Sequence, residues 1–241
     1  MAHNSIPTRL KSLIGELSAW DFFLIIGFTA ASLAVSLLNG NFQGWSYAGG
    51  ICSILCVIFG AKGNMLNFIF GWIGSLILGT IMFSSHIYAM AAFYILYNAP
   101  MQIVGWYKWN RRRLNPTENI IKTRWMSWPQ RCAMVASTFA MIAIAYLILS
   151  KFTGDAQPLS DAAAVSVAVI TQFVLTFAFI EQWCLWITMD IVMSAVWVIA
   201  WKSGVPHAAI QLVLEMFYLI NAVRGLFLWA KLEKANGNTE G

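Results

Sequence analysis

Charge is what this sequence has least of: 10% of its 241 residues are Asp, Glu, Lys or Arg, against about a quarter in a soluble domain. So little charge excludes a water-facing surface. With 59% hydrophobic residues and a mean hydropathy of +0.68, the chain reads as a polytopic membrane protein. It reads as all-α, since a backbone in lipid must satisfy its own hydrogen bonds. The four cysteines, Cys52, Cys56, Cys132 and Cys184, make no CxxC pair, so neither a metal cluster nor a disulfide framework is expected. Cys52 and Cys56 share a helix face and read as small packing residues. An HExxH motif, paired metal ligands and a phosphate-binding glycine loop are also missing. Ser75 with His86 imitates the dyad of an intramembrane protease, but GWIGSLIL lacks the glycine that should follow the serine. No enzyme activity, cofactor or metal is expected.

What is present is a series of apolar runs of bilayer-spanning length. Eight are read: Trp20 to Leu38, Gly44 to Gly60, Asn64 to Ser84, His86 to Trp106, Cys132 to Ser150, Asp161 to Ile180, Trp183 to Trp201 and Pro206 to Ala230. Little remains for a soluble domain. The first run reads as a span and not as a cleaved leader, because it is long and no small-x-small site follows it.

The loop after the fourth span gathers Lys108, Arg111, Arg112, Arg113, Lys122, Arg124 and Arg131, whereas the gap NGNFQG has no base. That asymmetry places the basic loop and both termini in the cytoplasm. Arg9, Lys11, Lys62, Lys231 and Lys234 agree; Lys151 and Lys202 are exceptions. The net charge of +5 is therefore topology, and no nucleic-acid partner is expected. Trp125 and Trp128 read as interface anchors, and Leu10, Leu13, Ile14, Leu17 and Trp20 predict a short interfacial helix.

Two parts of the chain echo each other. FYILYN (Phe93 to Asn98) is answered by FYLIN (Phe217 to Asn221), Gly105 and Trp109 by Gly225 and Trp229, the GW of Gly71 and Trp72 by the LW of Leu185 and Trp186, and His86 by His207. The second to fourth spans then match the sixth to eighth, crossing in the same direction, as a parallel 3+1+3 repeat with one extra helix in front. The expected organisation is an interfacial segment (1–19), the extra helix (20–38), a first three-helix repeat (44–107), a basic loop (108–131), a linker helix (132–150), a second repeat (160–230) and a cytoplasmic tail (231–241).

A carrier built this way places its substrate between the halves, near mid-membrane. Asp190 and Glu215 lie there. A charge at that depth costs about 2.5–3.5 kcal/mol, so each needs a partner, such as Arg224, or a polar cavity. Trp183, Trp186 and Asp190 share one helical stripe at i, i+3, i+7, the makings of a site for a flat, polar, cationic group. Tyr218, Asn221 and Arg224 on the eighth span, with Tyr94, Asn98 and Gln102 on the fourth, add paired donors and acceptors. Arg224 reads alternatively as snorkelling to the interface. Asn64 and Asn67 read as a helix cap and a packing contact.

The runs YNAPMQIVGWYKW, WCLWITMD and MFYLINAVRGLFLW, with the 3+1+3 plan, resemble the PnuC family of bacterial vitamin B3 transporters over nearly the whole chain after the first helix. The resemblance implies an inner-membrane importer of nicotinamide riboside with a fold like that of full-length SWEET sugar transporters. It also implies facilitated diffusion, trapping by a cytoplasmic riboside kinase, and a homotrimer. On that reading Trp183, Trp186 and Tyr218 embrace the pyridinium ring, and Asn98, Gln102 and Asn221 bond the carboxamide or the sugar. Tyr94 and Glu215 complete the site, and Asp190 is the ring's counter-charge or a hydroxyl acceptor. A sugar carrier, or a carrier of another flat vitamin such as thiamine, is the alternative.

Overall fold

Ser18 and Asp21 start the first helix. The Asp21 amide donates to Ser18 Oγ at 3.3 Å and the Ser18 amide to Asp21 Oδ2 at 2.6 Å, an S-x-x-D box that satisfies two donors otherwise orphaned at a helix end. The structure, a computed structural model, describes residues 17–38, 44–84, 91–113, 120–152, 158–203 and 208–237. These residues are overwhelmingly helical. The helices are α1 (Ala19–Leu38), α2 (Gly44–Ala61), α3 (Leu66–Ser84), α4 (Phe93–Asn98 continued by Ala99–Asn110), α5 (Trp128–Phe152), α6 (Pro158–Thr176), α7 (Gln182–Lys202) and α8 (Ala208–Gly237). The interfacial helix expected on Leu10, Leu13 and Ile14, and the pair His86 and His207, lie outside the described residues. The basic loop is shorter than the charge pattern suggests: α4 runs through Asn110 and α5 begins at Trp128.

Two three-helix units, α2–α4 and α6–α8, pack against each other reciprocally. α4 lies on α6, and α8 lies on α2. α5 leans on α6, while α1 straddles the units by packing on both α2 and α8.

The same turn joins the first two helices of each unit. Gly63 and Ala178 both take positive φ, 65° and 59°. At each, one amide reaches back three residues (Gly63 to Gly60, 2.9 Å; Ala178 to Leu175, 2.8 Å) and the next reaches back five (Asn64 to Phe59, 2.9 Å; Phe179 to Val174, 3.2 Å). Both are Schellman closures, for which glycine is suited and alanine is strained.

The units then complete each other. The Trp109 indole of the first donates to the Leu175 carbonyl at 3.0 Å, and the Trp229 indole of the second donates to the Gly60 carbonyl at 2.9 Å. Leu175 and Gly60 occupy the same place in their turns, so each half supplies a cap for the other. Gly105 and Gly225 repeat the correspondence. A Cβ on Gly105 would lie 2.2 Å from the Phe68 ring, and one on Gly225 2.7 Å from the Trp183 ring. Trp229→Phe is expected to cost about 1–3 kcal/mol, the desolvation of the Gly60 carbonyl, and Trp109→Phe a similar amount. Thermal unfolding in detergent measures both; an unchanged midpoint in either would refute the brace.

Counted from Gly63 and Ala178, Gly71 stands level with Trp186, and Ser75 with Asp190. This corrects the sequence pairing of GW with LW by one residue. The FYILYN segment also differs from its counterpart in backbone. Phe93–Asn98 is π-helical, with the Ala99 amide bonded to the Tyr94 carbonyl. A π-turn inserts a residue, and here it precedes Pro100, which cannot donate and would crowd the carbonyl four residues back in a regular helix. Counting back from Gly105 and Gly225, through the regular helix that follows the π-turn, sets Asn98 level with Tyr218 and Met101 level with Asn221, three residues off the sequence pairing of Asn98 with Asn221.

Candidate functional site

A cavity of about 400 Å³ lies between the two units. The π-turn of α4 brings Tyr94 and Asn98 to it, and the following α-helix brings Gln102; α7 contributes Trp183, Trp186 and Asp190, and α8 contributes Glu215, Tyr218 and Asn221. All nine residues singled out from the sequence thus line one space. The i, i+3, i+7 stripe of α7 turns its two indoles and its carboxyl toward the same side.

Sequence reasoning missed several of the lining residues. Asn67, expected to be a packing contact, faces the cavity with Ser75, Gln172 and Gln182. Asn64 is the cap it was expected to be, with Oδ1 accepting from the Leu66 amide at 2.9 Å. Gln182 lies one turn beyond the Ala178 closure, as Asn67 lies one turn beyond Gly63. The repeated turn is the signal that could have found both.

Hydrogen-bond accounting separates this cavity from the rest of the molecule. Among the described residues, buried side-chain atoms without a partner include both amide atoms of Asn67, Gln102 Oε1, Gln172 Nε2, Gln182 Nε2, Trp183 Nε1 and Asn221 Oδ1, all of residues that line it. Buried polar groups are rarely left unpaired, and so many around one space equip it for a polar ligand. The set holds donors on α6 and α7 and acceptors on α4 and α8. Asn221 keeps its orientation because Nδ2 donates to the Val57 carbonyl at 3.0 Å.

Asp190 is buried. Neither Asp190 nor Glu215 forms an ion pair with a described residue. Arg224, the expected structural partner, is engaged elsewhere: its Nη1 lies 2.6 Å from Asp21 Oδ1 and its Nη2 donates to Ser18 Oγ at 3.3 Å. Lys62 Nζ meets the other Asp21 oxygen at 2.5 Å. Arg224 therefore neither serves the site acids nor merely snorkels. None of the described lining residues is Lys or Arg.

Trp183, which lines the cavity, joins Phe68, Trp109, Ile121 and Trp229 in a single buried cluster. The loop is fastened over it. Thr123 Oγ1 donates to the Trp229 carbonyl at 2.9 Å. The Arg124 amide bonds the Ala178 carbonyl at 3.2 Å, and the Ile180 amide bonds the Arg124 carbonyl at 3.0 Å. Buried Glu181 accepts from the Met126 amide at 3.0 and 3.1 Å and from Arg131 Nε at 2.8 Å. Trp125, half-exposed, carries Arg131 over its ring.

A larger groove of about 950 Å³ between α5, α6 and α7 is apolar. Its two threonine hydroxyls are spent inside their own helices, Thr138 on the Met134 carbonyl and Thr188 on the Cys184 carbonyl. It suits acyl chains better than a polar solute.

The architecture is shared with a solved protein. Over 96% of this chain and 99% of the other, the structure superposes with a TM-score of 0.78 and 25% sequence identity on a crystal structure of the vitamin B3 transporter PnuC. In sequence the chain is 26% identical over 227 residues to the nicotinamide riboside transporter PnuC of Neisseria mucosa, covering 93% of this chain and 86% of that protein. It is 21% identical over 214 residues to the protein of the same name in Escherichia coli, covering 79% and 86%. The riboflavin/roseoflavin transporter RibM of Streptomyces davaonensis is 27% identical over 143 residues, 54% of this chain and 67% of that one. A family profile described as nicotinamide mononucleotide transporter matches residues 43–231, both three-helix units and the helix between them. The cavity between the duplicated halves is thus that of a membrane transporter and not of an enzyme, and the chain belongs to the nicotinamide mononucleotide transporter family.

Proposed function

We propose that this protein carries nicotinamide riboside across the bacterial inner membrane, with the basic loop and both termini on the cytoplasmic side. The carrying observation is the chemistry of the lining: two carboxylates and several unpaired amides, with no described Lys or Arg among them. A pyridinium riboside fits such a surface. Its cation answers Asp190 and Glu215, its ring stacks on Trp186 and Trp183 with Tyr218, and its carboxamide and hydroxyls engage Asn98, Gln102 and Asn221. A mononucleotide does not fit, because its phosphate meets two carboxylates without a compensating base.

In this reading the three-helix units rock against each other to give alternating access, and the aromatic cluster under the basic loop is the inner barrier. Transport is facilitated diffusion, a cytoplasmic kinase traps the product, and the working unit is a homo-oligomer, by family a trimer.

Calorimetry on the purified protein tests the substrate, with nicotinamide riboside, nicotinamide mononucleotide, riboflavin, thiamine and glucose titrated in turn. Riboside alone is expected to give saturable heat. Trp186→Ala is expected to weaken it roughly tenfold or more, since stacking on an aromatic is worth about 1–3 kcal/mol. Saturable heat from riboflavin, thiamine or glucose in place of the riboside would keep the carrier fold and overturn the substrate.

A further inference from the structure

One carbonyl that can only accept sets the direction of three polar groups in the first unit. The Ser75 hydroxyl donates to the Gly71 carbonyl one turn back, at 2.5 Å. Its hydrogen is then spent, so what approaches Ser75 Oγ must be a donor. That donor is Asn98 Nδ2, at 2.8 Å. With its NH2 so turned, Asn98 presents Oδ1 to Gln102, whose Nε2 donates to it at 3.2 Å. Gln102 is left with Oε1 buried, unpaired and at the cavity.

Space is reserved for this arrangement. A Cβ on Gly71 would stand 2.6 Å from Gln102 Oε1 and 2.8 Å from Cδ, so a side chain there would displace the amide. At the level of Ser75 the second unit has Asp190, whose carboxyl accepts no hydrogen bond from a described residue. The two units thus face the ligand with different chemistry: a charge on one side and a neutral relay on the other.

We infer that Ser75 is a positioning residue for substrate selection, holding Gln102 through Asn98 so that it turns its oxygen, and not its NH2, toward the bound molecule. The inference rests on the riboside reading above. An obligate acceptor rewards a carboxamide, which carries N–H donors, and penalises a carboxylate, which has none. The relay therefore selects the amide form of a pyridinium riboside over its acid form. Without Ser75, the Asn98 and Gln102 amides are free to turn, and Gln102 can present its NH2 to an acid.

The test compares nicotinamide riboside with nicotinic acid riboside, by calorimetry on the full-length protein. In the wild type the amide is expected to bind more tightly. Ser75→Ala is expected to lower the amide-to-acid preference about tenfold, equivalent to about 1.4 kcal/mol, with an unchanged unfolding midpoint. Ser75→Thr keeps a hydroxyl that bonds the same carbonyl and is expected to restore the preference. Asn98→Ala cuts the next link and reads the same relay should Ser75→Ala fail to accumulate. Riboside binding with an unaltered preference in both Ser75→Ala and Asn98→Ala overturns the relay and leaves the substrate reading standing. A wild type that binds neither riboside overturns the substrate reading and the relay with it.

Discussion

Asp190→Asn is expected to reduce nicotinamide riboside uptake at least roughly thirtyfold while the protein still accumulates in the membrane. The substitution keeps the shape of the side chain and removes only its charge. Truncating one side of a buried charge pair costs about 2–5 kcal/mol, and each 1.4 kcal/mol is a factor of ten. Asp190 is suited to this role because it is buried, lines the cavity and makes no ion pair with a described residue; in the proposed reading the cation of the transported molecule is its partner. Uptake per cell and protein per membrane are the two readings. If both fall together, Asp190 is a structural residue and the charge argument fails. Neutralising Glu215 as well is expected to narrow the discrimination against nicotinamide mononucleotide, since the phosphate then meets no like charge.

Asp21→Ala is expected to be the most destabilising single change, by about 3–5 kcal/mol, with a fall in Tm on the order of 10 °C. Asp21 has no exposed side-chain surface and holds Lys62 with one oxygen and Arg224 with the other. Lys62 belongs to the turn of the first unit and Arg224 to the last helix of the second, so the carboxylate on α1 clamps both halves at the basic-loop end. Removing it also removes half of the capping box that begins α1, the bond from the Ser18 amide to Asp21 Oδ2. Thermal unfolding in detergent decides the matter, with Asp21→Asn as the milder companion, since an amide oxygen still caps the helix. An Asp21→Ala protein as stable as the wild type would show that the extra helix is held by apolar packing alone.

These two acids mark the boundary of what can be read from a sequence. Asp190 was visible because a carboxyl inside an apolar span is too costly to be casual, and because Trp183 and Trp186 share its stripe at helical spacing. Asn98, Gln102 and Asn221 were visible for the same reason. Asp21 was not, because it stands at the polar edge of its span, where a charge is unremarkable, and its partners are in two other helices. Arg224 is hidden for the matching reason: the sequence offers it a site acid or the interface, and its partner Asp21 lies at the other end of the chain. Gln182 and Asn67 begin their helices, where amides usually cap, and it is their matched place after the repeated turn that sets them apart.

The repeat itself was legible in its glycine and tryptophan pairs. Its register was not: counted from the glycines Asn98 stands level with Tyr218 and not with Asn221, and the π-turn ahead of Pro100 leaves no mark in hydropathy. Nothing in apolar periodicity announces an indole whose target is a carbonyl in the opposite half.

That crossed pair of indoles bears on where the protein came from. A three-helix piece taken alone owns a tryptophan with no carbonyl to reach and a helix end with no indole to close it. Two copies of one piece, related by a twofold axis along the membrane normal, supply both needs at once, because the contact is the same from either side. Trp109 to Leu175 and Trp229 to Gly60 have the form of a homodimer interface preserved within one chain. Three crossings leave a chain on the far side of the membrane, so two such pieces cannot be joined in parallel directly. α5 is the single extra crossing that makes the fusion possible, and it packs on α6 outside the pair of units it joins.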